Sequence, residues 1–243
     1  MQCVKSSAAC DEARLANAVE AELPRFYEAG VKEEVASIVD LSLLLARLGR
    51  TERALQAVQK YTVPSEEVER WSDETLRFAA RHQARRSNAN WALKTAARIP
   101  GPLSRADALF SVARLYFRKG DKAAASKIVH LAAPLVAQSK NSKVLAYSAW
   151  MLARSGDDSG ARRFFLKARQ VPTDDMGQTL ENKTRDIAVY QAKAGFYDEA
   201  AATAGKEENT IGSVVRALEE AQQFERALKI AERLSLEYQC VLV

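Results

Sequence analysis

A chain of 243 residues with 47% apolar side chains can bury a core and is too apolar to stay disordered. Aromatic residues make up only 7%, and 10 glycines and 6 prolines are too few for the many turns of a β-sandwich or barrel, so an all-α fold is predicted. The net charge of +5 is unevenly spread: residues 1–76 carry 9 basic and 14 acidic side chains, residues 77–172 carry 19 and 4, and residues 173–243 carry 8 and 13.

The N-terminus has no apolar run long enough for a secretory leader, and the longest apolar stretch, Leu41 to Leu48, contains Ser42 and Arg47. The expectation is a cytoplasmic protein. Its three cysteines, Cys3, Cys10 and Cys240, are odd in number and sit at the two ends, which suits a reducing compartment. Residues 1–31 are read as a capping region, with Asp11 to Gly30 forming one helix interrupted at Pro24.

From residue 32 onward one short pattern recurs six times. A turn residue (Gly49, Ser87, Gly120, Gly156, Gly195, Gln222) is followed five positions later by an alanine (Ala54, Ala92, Ala125, Ala161, Ala200, Ala227). In five units a small residue lies seven positions before the turn: Ser42, Ala80, Ala113, Ala149 and Ala188. The spacing fits a helix, a tight turn and a second helix, with the small residues letting the two helices approach closely. Ile99 to Pro102 and Val171 to Asp175 are read as loops between repeats, and Leu228 to Leu236 as the last helix.

The third unit, Asp107 to Pro134, has Ala113 and Tyr116, Gly120, then Ala125 and Ala132. The fourth has Leu145, Ala149, Leu152, Gly156, Ala161, Phe165 and Ala168, and the fifth Ala188, Gly195, Tyr197 and Ala200. On these residues the chain resembles the tetratricopeptide repeat family over roughly residues 32–236. The resemblance implies an α-solenoid of about six antiparallel hairpins in a right-handed superhelix, and residues 237–243 are left as a tail.

No metal-ligand spacing, phosphate-binding glycine loop or nucleophile motif occurs. His82 and His130 fall on different repeats and are read as packing or surface residues. The expectation is a non-enzymatic interaction module with no cofactor and no metal.

The basic middle segment supplies the candidate site. Arg77, Arg81 and Arg85 stand at i, i+4 and i+8, so three like charges share one helix face and call for an acidic neighbour. If the first helix of each hairpin lines the inner surface, as the resemblance implies, Phe110, Arg114, Phe117 and Arg118, then Lys143 and Trp150, join them. Arginine beside aromatic anchors suits an acidic peptide or protein partner. Phe110, Phe117 and Trp150 equally fit core positions. The bases Arg47, Arg85, Arg118, Arg154 and Lys193, two residues before five of the turns, also suit helix C-termini, where the dipole is negative.

The alternative partner is nucleic acid, because the period and Lys193-Ala194-Gly195 also resemble pentatricopeptide repeats. The positions that would read bases, Val39, Arg77, Phe110, Ala146, Arg185 and Gly212, lack the polar residues suited to base edges. Finally, Cys240-Val-Leu-Val243 has the form of a prenylation signal, so membrane association is expected only if Cys240 is lipidated. Otherwise it is an apolar end.

Overall fold

The structure is a computed structural model that describes residues 13–21, 34–60, 65–173 and 179–232, the side chains of 34–39 and 65–67 excepted. Cys3, Cys10, Cys240 and Pro24 lie outside the described residues, as do residues 233–236 of the expected last helix and the whole of the 237–243 tail.

The described residues form thirteen helices and no strand: α1 (13–21), α2 (Glu34–Arg47), α3 (Thr51–Gln59), α4 (Ser65–Arg85), α5 (Ala89–Ala97), α6 (Pro102–Arg118), α7 (Lys122–Val136), α8 (Ser142–Arg154), α9 (Asp158–Gln170), α10 (Leu180–Lys193), α11 (Tyr197–Ala204), α12 (Glu208–Glu220) and α13 (Phe224–Ala231). The described residues form an all-α fold of repeated helix hairpins.

The six expected turn residues all adopt positive φ: Gly49 (82°), Ser87 (64°), Gly120 (78°), Gly156 (93°), Gly195 (84°) and Gln222 (58°). Each closes the helix before it in the same way. Its own N–H donates to the carbonyl three residues back, and the next N–H reaches the carbonyl five back. Those second bonds run from Arg50 to Leu45 (2.9 Å), Asn88 to Gln83 (2.9 Å), Asp121 to Tyr116 (3.0 Å), Asp157 to Leu152 (3.0 Å), Phe196 to Gln191 (2.9 Å) and Gln223 to Leu218 (2.8 Å). Asn88 and Asp157 then cap the following helix through their side chains.

Close packing follows from small side chains. Ser42, Ala80, Ala113, Ala149 and Ala188 before the turns, and Ala54, Ala92, Ala125, Ala161 and Ala200 after them, are all fully buried; Ala227 retains 4% exposure. Two repeats replace an apolar inter-helix pair with a hydrogen bond in equivalent positions: Thr95 Oγ1 to Gln83 Oε1 (2.8 Å), and Thr203 with Gln191, whose amide nitrogen donates to Thr203 Oγ1 at 2.7 Å.

The chain divides into two compact units, Met1–Ile128 and Val129–Val243, with α7 running across the division. In the first, α2 packs on α4 and α4 on α6, while α3 and α5 pack against these. In the second, α8 packs on α10 and α10 on α12, with α9, α11 and α13 against them. The even-numbered helices therefore make one layer in each unit, called inner below, and the odd-numbered helices a second, called outer.

Two expected boundaries shift. The last described helix starts at Phe224, four residues before Leu228, because the Gln222 turn already hands the chain to Gln223 as the N-cap of a new helix. Pro102 is the first residue of α6, where its missing N–H costs nothing, so the loop between repeats ends at Gly101. That entry is fixed by Asp73 of α4, whose carboxylate accepts the Gly101 N–H (2.9 Å). Burial, ahead of this bond, pushes the Asp73 carboxyl above its ordinary range.

Candidate functional site

The inner layer of the first unit carries the arginines predicted from sequence. On α4, Arg77, Arg81 and Arg85 lie on one stripe. On α6, Asp107, Arg114 and Arg118 stand at i, i+7 and i+11, both arginines within about 20° of Asp107 around the axis. The two stripes face each other at Asp107, whose Oδ2 lies 3.7 Å from Arg77 Nη1 and 3.6 Å from Arg81 Nη1. Arg77 also donates to Glu74 Oε1 at 2.5 Å. The acidic neighbour demanded by the arginine stripe is thus intramolecular for Arg77 and Arg81. An external partner is not needed to balance those two.

Phe78 sits among the same guanidinium groups, with Arg47 of α2 at 5.2 Å from its ring centre, Arg77 at 5.4 Å and Arg81 at 6.0 Å. Phe78, Glu74 and Asp107 were missed in the sequence reading. Asp107 had a signal, being the one acidic residue between Glu74 and Asp121. The signal for Phe78 was weaker, because its neighbour Arg47 is distant in sequence and stood out only as a helix-terminal base.

Arg85, Arg114 and Arg118 differ from the first pair. Among the described residues none of the three has a carboxylate partner or a hydrogen-bonded side chain. Arg85 and Arg118 are the last residues of α4 and α6 and are exposed; Arg114 is half-buried. The Lys119 ammonium donates to the Ser87 carbonyl (3.5 Å), which holds these two helix ends side by side. The helix dipole adds no positive charge here, so the surplus is carried by the side chains alone.

Phe110 is corrected. It is 2% exposed and among the largest fully buried side chains, so it belongs to the core and cannot anchor a partner. Its phase places it about 60° from the Asp107–Arg114 stripe, toward the neighbouring helices. Phe117 is half-buried.

Lys143 and Trp150 belong to the second unit. Lys143 is exposed on the first turn of α8. Trp150, seven residues on, packs with Tyr147 (5.5 Å) and with Tyr190 of α10 (6.1 Å), and the Arg154 guanidinium lies 5.7 Å from its ring. The tyrosines pack edge to face at 5.7 Å. Trp150 is therefore part of a half-buried aromatic cluster on the inner layer of that unit.

Four of the six positions that would read bases are otherwise engaged: Phe110 and Ala146 are buried, Arg77 pairs with Glu74, and Arg185 donates to Asn182 Oδ1 (2.5 Å). His130 lies 3.4 Å from Asp157, and among the described residues no three His, Cys, Asp or Glu side chains gather as a metal site. No described helix is long and apolar enough to cross a membrane.

No protein-family model matches the chain, and no curated protein matches it. Among solved structures it is similar to a Podosopora anserina protein assigned as a kinesin light chain with nearly identical TPR-like repeats, at 14% identity and a TM-score of 0.39, over 79% of this chain and 99% of that one. A point-substituted form of the same protein matches at 14% identity and a TM-score of 0.40, over 78% and 96%.

Proposed function

We propose that this chain is a non-enzymatic interaction module whose inner layer binds an acidic peptide or protein segment. The observation that carries the reading is the set of three arginines, Arg85, Arg114 and Arg118, which have no carboxylate partner among the described residues and lie at one end of the α4–α6 face. Stacked helix hairpins present an extended inner surface suited to such a segment. Guanidinium forks donate paired N–H bonds to carboxylates in bidentate geometry, and the half-buried Phe117 supplies an apolar neighbour. Arg77 and Arg81 act as a fixed floor, held by Glu74 and Asp107.

The test is a fluorescence-anisotropy titration with a labelled glutamate-rich peptide. Wild type is expected to bind with an affinity that falls as salt rises. Reversing Arg85 and Arg118 to glutamate should weaken binding about tenfold or more, since two exposed attractions become repulsions. Neither residue has a partner among the described residues, so the melting temperature should hold. Equal affinity for wild type and the double variant would overturn the proposal.

A further inference from the structure

The outer layer of the second unit carries a different surface. His130 of α7 lies 3.4 Å from Asp157 at the start of α9, and the Lys167 ammonium of α9 donates to the Ala137 carbonyl just beyond α7 (3.2 Å). These two contacts hold the helices alongside each other. Leu131 on α7 and Leu166 on α9 both project outward, 64% and 56% exposed. Around Leu166, α9 presents Arg162, Arg163, Lys167 and Arg169, and its carboxylates are confined to Asp157 and Asp158 at its N-terminal end. Glu199 takes up Arg162 and Thr203 takes up Arg169, but Arg163 has no partner among the described residues.

We infer that this face is a docking surface for an anionic lipid bilayer, independent of the α4–α6 face and of Cys240. Charge complementarity selects an anionic partner, and the two leucines select among anionic partners. A headgroup layer takes the guanidinium and ammonium groups while the acyl boundary just beneath it accepts aliphatic side chains. A nucleic-acid strand offers stacking bases and phosphates but no place for leucine. The aromatics of α9 are not presented to such a strand: Phe165 is buried, and Phe164 is half-buried with Lys167 at 5.8 Å from its ring.

Cosedimentation of the full chain with vesicles tests this. Binding is expected to vesicles of phosphatidylcholine mixed with phosphatidylserine, to be lost at high salt, and to be absent with phosphatidylcholine alone. Arg163→Glu and Leu166→Ser alter exposed side chains and should each lower partitioning about fivefold or more. Arg85→Glu/Arg118→Glu should leave partitioning unchanged, which separates this surface from the proposed peptide site. Failure to sediment with phosphatidylserine vesicles would overturn the inference. So would unchanged binding by Leu166→Ser, since charge alone would then account for the attraction, or loss confined to the Arg85/Arg118 variant.

Discussion

Ser87 and Gln222 hold the left-handed backbone that glycine supplies in the other four repeat turns, at φ of 64° and 58°. A Cβ in that region costs about 1 kcal/mol, so Ser87→Gly should stabilise the first unit by roughly that amount in urea unfolding, and Gly120→Ala should destabilise it similarly. No change in either variant would contradict the turn geometry. Asp157 gives a second test. The Gly160 N–H donates to its carboxylate (2.8 Å), and this bond, with help from His130 and Ser159, outweighs burial and holds the carboxyl below its ordinary range. A lowered folded value means stability that is present above the ordinary aspartate range and lost as pH falls through the lowered value. Asp157→Ala should therefore cost about 1 kcal/mol at neutral pH, with the gap to wild type closing on acidification. The turn residues were legible because a tight turn depends on local chemistry, whereas the Asp157 cap was not singled out in the sequence. The fate of Phe110 was not, since a helix position about 60° off a stripe can face core or groove, and only the packing of α4 beside α6 decides.

At the scale of helices, the alanines after each turn set how closely a hairpin can close. Ala161→Leu, at a fully buried position near the start of α9, should overpack the contact and cost about 1–3 kcal/mol, as should Ala125→Leu in α7. Thermal unfolding checks it, and unchanged midpoints for both would refute the register. This register was readable from the period of small and turn residues, because steric closeness leaves a mark in residue type. The ion pairing was readable only by half. A stripe of three arginines announces that an acid must be near, yet the sequence separation of 30 between Arg77 and Asp107 hides which acid it is. The consequence is functional: Arg77 and Arg81 are committed internally, and the burden of recognition shifts to Arg85, Arg114 and Arg118.

For the whole molecule, about half of the basic side chains between residues 77 and 172 fall on two surfaces. In the first unit they lie on the inner α4–α6 face, and in the second on the outer face of α9. Net charge alone predicts salt-sensitive association with anything anionic, and the side chains beside the charges separate the partners. A half-buried aromatic between helices suits a peptide, while exposed leucines suit a bilayer. The most direct measurement of the central claim is an NMR titration of the arginine Nε–Hε signals with the glutamate-rich peptide. Arg85, Arg114 and Arg118 should shift together and saturably while Arg163 stays in place; saturable binding that moves Arg163 and leaves those three unmoved would contradict the account.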